Sequence, residues 1–159
     1  MVAAFSMVST ALGLAACSSA AAADLQVGDC LDVSGPPDRP ETAKVRCGSP
    51  ESNFKVVGIV STSDLCPSDV DSYYSMRSSF SGSGSTICMD VDWVVGGCMS
   101  IDPEHDRDPL RVDCNDASAP NRQRAAQIMA EVANVDQCAT GVGYAYDERQ
   151  FTVCVEDVS

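Results

Sequence analysis

The sequence predicts an α+β, β-rich protein made of two tandem copies of a small disulfide-stapled antiparallel-sheet module packed together. Three observations lead there: nine cysteines in 159 residues, short β-branched runs broken by Gly, Pro and Ser, and a four-cysteine pattern that occurs twice. Composition narrows the setting. Ten Lys and Arg against 23 Asp and Glu give a net charge of −13, so no basic stripe is available to neutralise nucleic-acid phosphates. An apolar content of 45% with 21% charged residues excludes both an intrinsically disordered chain and a multi-span membrane protein.

Residues 1–16 are almost wholly apolar or small and end in Leu14-Ala15-Ala16-Cys17. Sixteen residues are too few to cross about 30 Å of hydrocarbon but suit the apolar region of a signal peptide. The Leu-Ala-Ala-Cys string resembles the bacterial lipobox, in which the Cys17 thiol would take a diacylglycerol and become the first residue of the mature protein. Setting Cys17 aside leaves eight cysteines, an even number. Ser18 to Asp24 reads as a short tether. No Lys or Arg precedes Arg39, so the basic stretch that heads a signal peptide is expected upstream of Met1.

The duplication emerges when the chain is laid against itself. Val27-Gly28-Asp29-Cys30 recurs as Val95-Gly96-Gly97-Cys98, and Val45-Arg46-Cys47 as Val112-Asp113-Cys114. Asp64-Leu65-Cys66 recurs as Asp136-Gln137-Cys138, and Thr86-Ile87-Cys88-Met89-Asp90 as Thr152-Val153-Cys154-Val155-Glu156. The expected divisions are a lipoprotein signal peptide (1–16), a lipidated cysteine and tether (17–26), one module copy (27–92) and a second (93–159). Modules this small need covalent staples, because little apolar surface is buried per residue. No Pro/Gly/Ser linker separates the copies, so they are expected to pack tightly. Trp93, at the join, reads as a filler of an inter-module core in preference to a ligand platform.

Within the first copy, Cys30 to Val33 and Ala43 to Cys47 read as a hairpin around the turn-rich Ser34 to Asp38. Phe54 to Val60 is a β-branched third strand, and Thr86 to Val91 a fourth. Asp64 to Phe80 carries Val70, Tyr73, Tyr74 and Met76 at near-helical spacing with Pro67 near the start, which predicts a short helix. Ser81 to Gly84 reads as a flexible loop. The second copy holds a conflict. Arg124 to Val135 has helical composition, with Ala125, Ile128, Met129 and Val132 suitably spaced, yet its counterpart is the strand Phe54 to Val60. The duplication outweighs propensity, and a strand is expected.

Two equivalent modules with internal bridges allow three pairing patterns. Hairpin geometry favours Cys30–Cys47 with Cys66–Cys88, and Cys98–Cys114 with Cys138–Cys154. The rival joins first to fourth and second to third. Eight cysteines without a C-x-x-C, beside a single histidine, fit an exported disulfide framework and not a zinc site.

The order V-G-D-C, V-R-C-G-S-P, K-V-V-G and the later cysteines resembles the actinobacterial LppU-like lipoproteins, and the septum-formation-type extracellular domains that share the G-D-C start. The resemblance implies an envelope-anchored, non-catalytic module. Related domains often place Pro-His after the second cysteine. Here Pro50-Glu51 and Ala119-Pro120 stand there, so no role for that histidine carries over.

Candidate chemistry is sparse. His105 lies in Asp102-Pro103-Glu104-His105-Asp106-Arg107-Asp108-Pro109, whose alternating acids echo a calcium loop. Arg107 sits where such a loop needs glycine, so a solvated acidic loop is the favoured reading and no metal or cofactor is expected. Ser52-Asn53-Phe54-Lys55 matches S-x-x-K without the companion motifs of penicillin-recognising enzymes. Tyr73, Tyr74 and Trp93 are the candidate binding surface, with Tyr144 and Tyr146 as their counterparts in the second copy. The expected function is an envelope-anchored binding or interaction domain. Its membrane contact is the amino-terminal lipid, its partner an envelope protein, lipid or glycan. One alternative is a carrier sheltering an apolar ligand between the modules. A further one is a hydrolase using paired carboxylates such as Asp106 and Asp108.

Overall fold

The computed structural model describes residues 24–36, 40–77 and 84–158. The expected signal peptide, Cys17 and most of the tether lie outside these residues. Among the described residues, ten strands form two five-stranded antiparallel sheets. The first holds β1 (Cys30–Ser34), β2 (Glu41–Val45), β3 (Phe54–Val60), β4 (Ser72–Arg77) and β5 (Gly84–Val91) in the order β2-β1-β3-β5-β4. The second holds β6 (Cys98–Ser100), β7 (Leu110–Val112), β8 (Arg122–Ala130), β9 (Gly143–Tyr146) and β10 (Phe151–Val158) in the equivalent order β7-β6-β8-β10-β9. One topology built twice is what the cysteine repeat predicts.

The motifs that repeat do so for local reasons. In Gln26 to Asp29, the Asp29 N–H donates to the Gln26 carbonyl at 3.0 Å, closing a turn whose third residue is Gly28 at φ 97°. Val94 to Gly97 closes the same turn at 2.8 Å around Gly96 at φ 86°. A side chain is strained at either angle, and hence the glycine recurs. Each turn then binds the third strand of its sheet, Gly28 N–H to the Val56 carbonyl and Gly96 N–H to that of Ala125, both at 2.8 Å. The D-L-C and D-Q-C matches are also explained. Each is part of a single 3-10 turn, Ser63–Leu65 or Val135–Gln137, that delivers the next residue, Cys66 or Cys138, to its partner.

Bridges join Cys30 to Cys47, Cys66 to Cys88, Cys98 to Cys114 and Cys138 to Cys154, the favoured intra-module pattern. The hairpin detail differs from expectation: β2 ends at Val45, opposite Cys30, and Cys47 reaches back from the turn beyond it.

Both sheets carry the same β-bulge. The β3–β5 register slips between Val56 and Gly58, and the β8–β10 register slips between Ala125 and Gln127. Val57 and Ala126 are the extra residues. A bulge resets the inward phase, so Ala125 and Ile128 share a face three residues apart. That spacing mimics a helix, and the segment is nevertheless strand, as the duplication requires.

The helix expected over Asp64 to Phe80 does not form. Its described part holds the 3-10 turn Ser63–Leu65 and the edge strand β4, and the only helical elements among the described residues are such turns. Tyr74 and Met76 pack on the first core with a strand's period of two, while Tyr73 is 58% exposed. Val70, which supplied the helical spacing, precedes the strand. The predicted loop at 81–83 is outside the described residues, and Gly84 begins β5.

The first core gathers Leu25, Leu31, Val33, Phe54, Val56, Ile87 and Met89, and the second the smaller set Ala125, Tyr146, Val153 and Val155. The second module therefore leans harder on its two bridges and on close strand contact. At Gly143 in β9, an added Cβ would stand 2.6 Å from the Val153 carbonyl oxygen and 3.1 Å from the Cys138 sulfur. Gly143→Ala must force β9 off β10, and a loss of about 1–3 kcal/mol in denaturant unfolding is expected. An unchanged midpoint would show that β9 is not packed this closely.

Candidate functional site

The two modules meet in a seam built mainly of acids from one and cations from the other. Arg149, between β9 and β10, lies 5.1 Å from the Tyr146 ring centroid and 5.3 Å from that of Phe151, over two rings stacked 4.1 Å apart. Its Nε donates to Asp69 at 2.7 Å, and its two terminal nitrogens donate to the Asp90 carboxylate at 2.5 and 2.9 Å. The Asp69 carboxylate also accepts the backbone N–H groups of Glu148 and Arg149 at 2.9 and 3.0 Å. Tyr146 Oη donates to Asp71 at 2.8 Å, and the Val91 N–H binds the same oxygen at 2.8 Å. Planar, multiply donating arginine over aromatic rings suits such a partly buried clamp better than lysine would.

A second knot sits at Asp92, 5% exposed. Its Oδ2 accepts from Ser52 Oγ at 2.6 Å, from the Gly48 N–H at 2.7 Å and from Arg111 Nη2 at 3.1 Å. Arg111, on β7, also donates to the Ser52 carbonyl at 3.1 Å and to the Asp92 carbonyl. Ser52 is thus a buried structural donor and Lys55 is exposed, so the S-x-x-K match forms no catalytic pair. Cys30 and Cys47 lie near Asp92, but their sulfurs are joined to each other and offer no thiolate to a metal.

Tyr73, Tyr74, Trp93 and Tyr144 gather around one loop, 102–109, whereas Tyr146 lies in the seam. Trp93 stacks on Tyr144 at 5.6 Å, and both line a recess of about 180 Å³ with Phe54, Asp71, Asp102 and Asp108. Trp93 is half-buried against the second module's core and also presents a wall to this recess. Tyr73 and Tyr74 line an adjoining groove of about 480 Å³ with Asp106, Asp108 and Leu110. Ser72, His105, Arg107 and Asp108 border both hollows, so the loop of the second module divides them. His105 adopts φ 57°, and Arg107 Nε pairs with Asp102 at 3.1 Å. The Asp102 carboxyl titrates below the ordinary range because Arg107 binds it. Asp106 and Asp108 are both exposed, although desolvation raises the Asp108 carboxyl.

Asp71, Arg149 and Leu110 are site residues that the sequence reading did not select, whereas Tyr144 was named as a counterpart of the first module's tyrosines. The available signal was the alternation Asp69, Asp71 and Asp90, Asp92 on segments otherwise bound for the interior. Compared with known proteins, the chain matches no family model, no curated protein and no solved structure. Fold and site together define a tandem disulfide-bridged β-module protein with an acidic, aromatic inter-module cleft.

The seam holds three carboxylates, Asp69, Asp71 and Asp90, around one arginine. Burial raises the Asp71 carboxyl, and the nearby Asp90 charge adds to it; burial likewise raises Asp90 against the pull of Arg149. Burial acts to raise Asp69 too, but the Arg149 bonds outweigh it and hold that carboxyl low. A carboxyl with a raised folded-state pKa takes up a proton on folding. Its contribution is complete below the ordinary value of 3.8 and is lost as pH rises through the folded value. Asp69 works in the opposite sense, its contribution fading only as pH falls below 3.8. The melting temperature should therefore rise on acidification from pH 7 through the raised values of Asp71 and Asp90, and fall again in acid below 3.8 as Asp69 is protonated. Asp71→Asn should raise the melting temperature at pH 7 and flatten that rise, and an unaltered slope would separate Asp71 from the effect. Arg149→Ala leaves Asp90 buried without its cation and is expected to cost about 3 kcal/mol. A loss below about 0.5 kcal/mol, the range of an exposed pair, would contradict the clamp.

Proposed function

We propose that the chain is a lipid-anchored lipoprotein of the LppU-like kind, held at the extracytoplasmic face of the cell membrane through Cys17. Its tandem module is a non-catalytic binding domain, and the cleft around loop 102–109 is its recognition surface. The observation that carries the binding reading is the Tyr73 groove. There two large exposed apolar side chains, Tyr73 at 58% and Leu110 at 59%, come from different modules and face one hollow bordered by carboxylates. Scattered apolar exposure is ordinary, whereas convergence at a polar-rimmed groove suits a recognition site. The anchor rests on the Leu-Ala-Ala-Cys string, and the export on four disulfides that a reducing cytoplasm does not favour.

The carrier reading is less well supported, because the hollow of about 490 Å³ between the modules is open to solvent and has the charged Arg149 and Asp90 in its wall, so it does not enclose an apolar ligand. The hydrolase reading is weakened by the exposure of Asp106 and Asp108. Catalysis by paired carboxylates needs both held in a cleft at a set separation.

Two outcomes test the proposal. Cys17→Ala should move the protein from the membrane pellet to the soluble fraction with its disulfides intact; retention in the pellet would refute the anchor. Capture of the acylated protein from detergent-solubilised envelope, with mass spectrometry of proteins and lipids, should yield a ligand. A Tyr73→Ser, Leu110→Ser double variant should lose at least fivefold of it. A partner retained equally by that variant would place recognition elsewhere.

A further inference from the structure

The hollow between the modules opens close to where the chain enters the fold. Val27 and Ile128 stand in its wall, one from each module, and they are 65% and 43% exposed. Val57, the extra residue of the first bulge, and Phe151 line it with them, both half-buried. Apolar side chains drawn from two modules to one opening form a patch, which scattered exposure does not. The two carboxylates in the wall are already bound, Asp90 by Arg149 and Asp92 by Arg111. Lys55, which is exposed, stands in the same wall. An opening of this kind cannot enclose a ligand, but a surface can close it.

The length of chain before the fold says which surface. Val27 follows the first described residue, Asp24, by three positions, and Cys17 precedes Asp24 by seven. Seven fully extended residues span at most about 25 Å, so a lipid on Cys17 keeps Asp24 within that distance of the bilayer. With a net charge of −13, most of the molecule is repelled by anionic headgroups. The opening is chemically different. Apolar side chains can enter the boundary between headgroups and acyl chains, and Lys55 can lay its stem along them with its ammonium among lipid phosphates. The Tyr73 groove lies elsewhere. Its residue Leu110 pairs with Ser100, and Ser100 with Arg122, six residues before Ile128 on β8. Leaving out the bulge residue Ala126, five strand steps of about 3.3 Å put Leu110 roughly 16 Å from Ile128 along β8. An interfacial apolar side chain sinks only about 5–10 Å, so contact at Ile128 leaves Leu110 free.

We propose that this opening is the face on which the protein rests against the bilayer. Val27, Ile128 and Val57 enter the headgroup–acyl boundary, Lys55 meets lipid phosphate, and the Leu110 groove is held clear of the surface. The inference rests on the lipid-anchored reading above and adds an orientation to it: the anchor brings the molecule to the membrane, and the opening sets which side faces it.

The chain has one tryptophan, which makes the test direct. Trp93→Phe removes it, and Val27→Trp or Leu110→Trp in that background places a single fluorophore at either exposed position. The acylated full chains are reconstituted on phosphatidylcholine vesicles in which part of the lipid is brominated near the top of its acyl chains, a quencher that acts at close range. Emission from the Val27→Trp chain should be quenched at least fivefold more strongly than that from the Leu110→Trp chain. Equal quenching, or stronger quenching at Leu110, would overturn the proposal. Ile128→Ser, added to the Val27→Trp chain, should at least halve the quenching. So should Lys55→Gln, a change at an exposed side chain that leaves the cores untouched. Quenching that resists both changes would show that the tether alone holds Val27 near the lipid, and would overturn docking. If the acylated chain sediments with the vesicles while the Val27→Trp chain stays unquenched, the docking face falls and the anchor stands. If it does not sediment, both fall.

Discussion

Arg149 is the contact on which the arrangement of the two modules depends. One guanidinium bridges Asp69 and Asp90 of the first module while lying over Tyr146 and Phe151 of its own. Its position orders the neighbouring segments, because the backbone N–H groups of Glu148 and Arg149 bind the same aspartate that the side chain holds. Such a pair gains little net energy over an apolar contact, since both partners lose water. Its value here is directional. A guanidinium with fixed donor geometry accepts one relative placement of the modules where an apolar face would tolerate several.

That placement creates the cleft. The loop 102–109 belongs to the second module but borders hollows walled by Phe54, Tyr74 and Met89 of the first. With the seam released, the Tyr73 groove would lose its acidic wall and the Trp93 recess its floor. Recognition chemistry thus belongs to the pair of modules and to neither alone. The four bridges act at a different level, holding each module together without crossing the seam. Covalent staples compensate for small cores, and non-covalent charge pairing sets how the stapled units meet.

Much of the fold was legible because it was written twice. The cysteine repeat predicted one topology in duplicate and the bridge pattern, and it correctly overruled helical propensity at Arg124. The bulge at Ala126 explains why propensity misled there, since it turns a strand's spacing of two into three. At Tyr73 and Tyr74 no repeat was available to correct the reading, and a turn residue, Val70, was counted into a periodicity it does not share. The seam was illegible for a different reason. Arg149 and Asp69 are 80 residues apart, and a surface ion pair and a seam ion pair leave the same trace in a single sequence. The tyrosines and Trp93 were visible as candidates, but the grouping of Tyr73, Tyr74, Trp93 and Tyr144 around one loop, and of Tyr146 in the seam, depends on how the modules dock.

Differential scanning calorimetry of the oxidised protein at neutral pH tests the central claim, that the seam makes one cooperative unit of the two modules. The account predicts a single transition with equal calorimetric and van't Hoff enthalpies, which Arg149→Ala splits in two. Two independent transitions in the unaltered protein would contradict it, because modules that melt separately are not held by the seam.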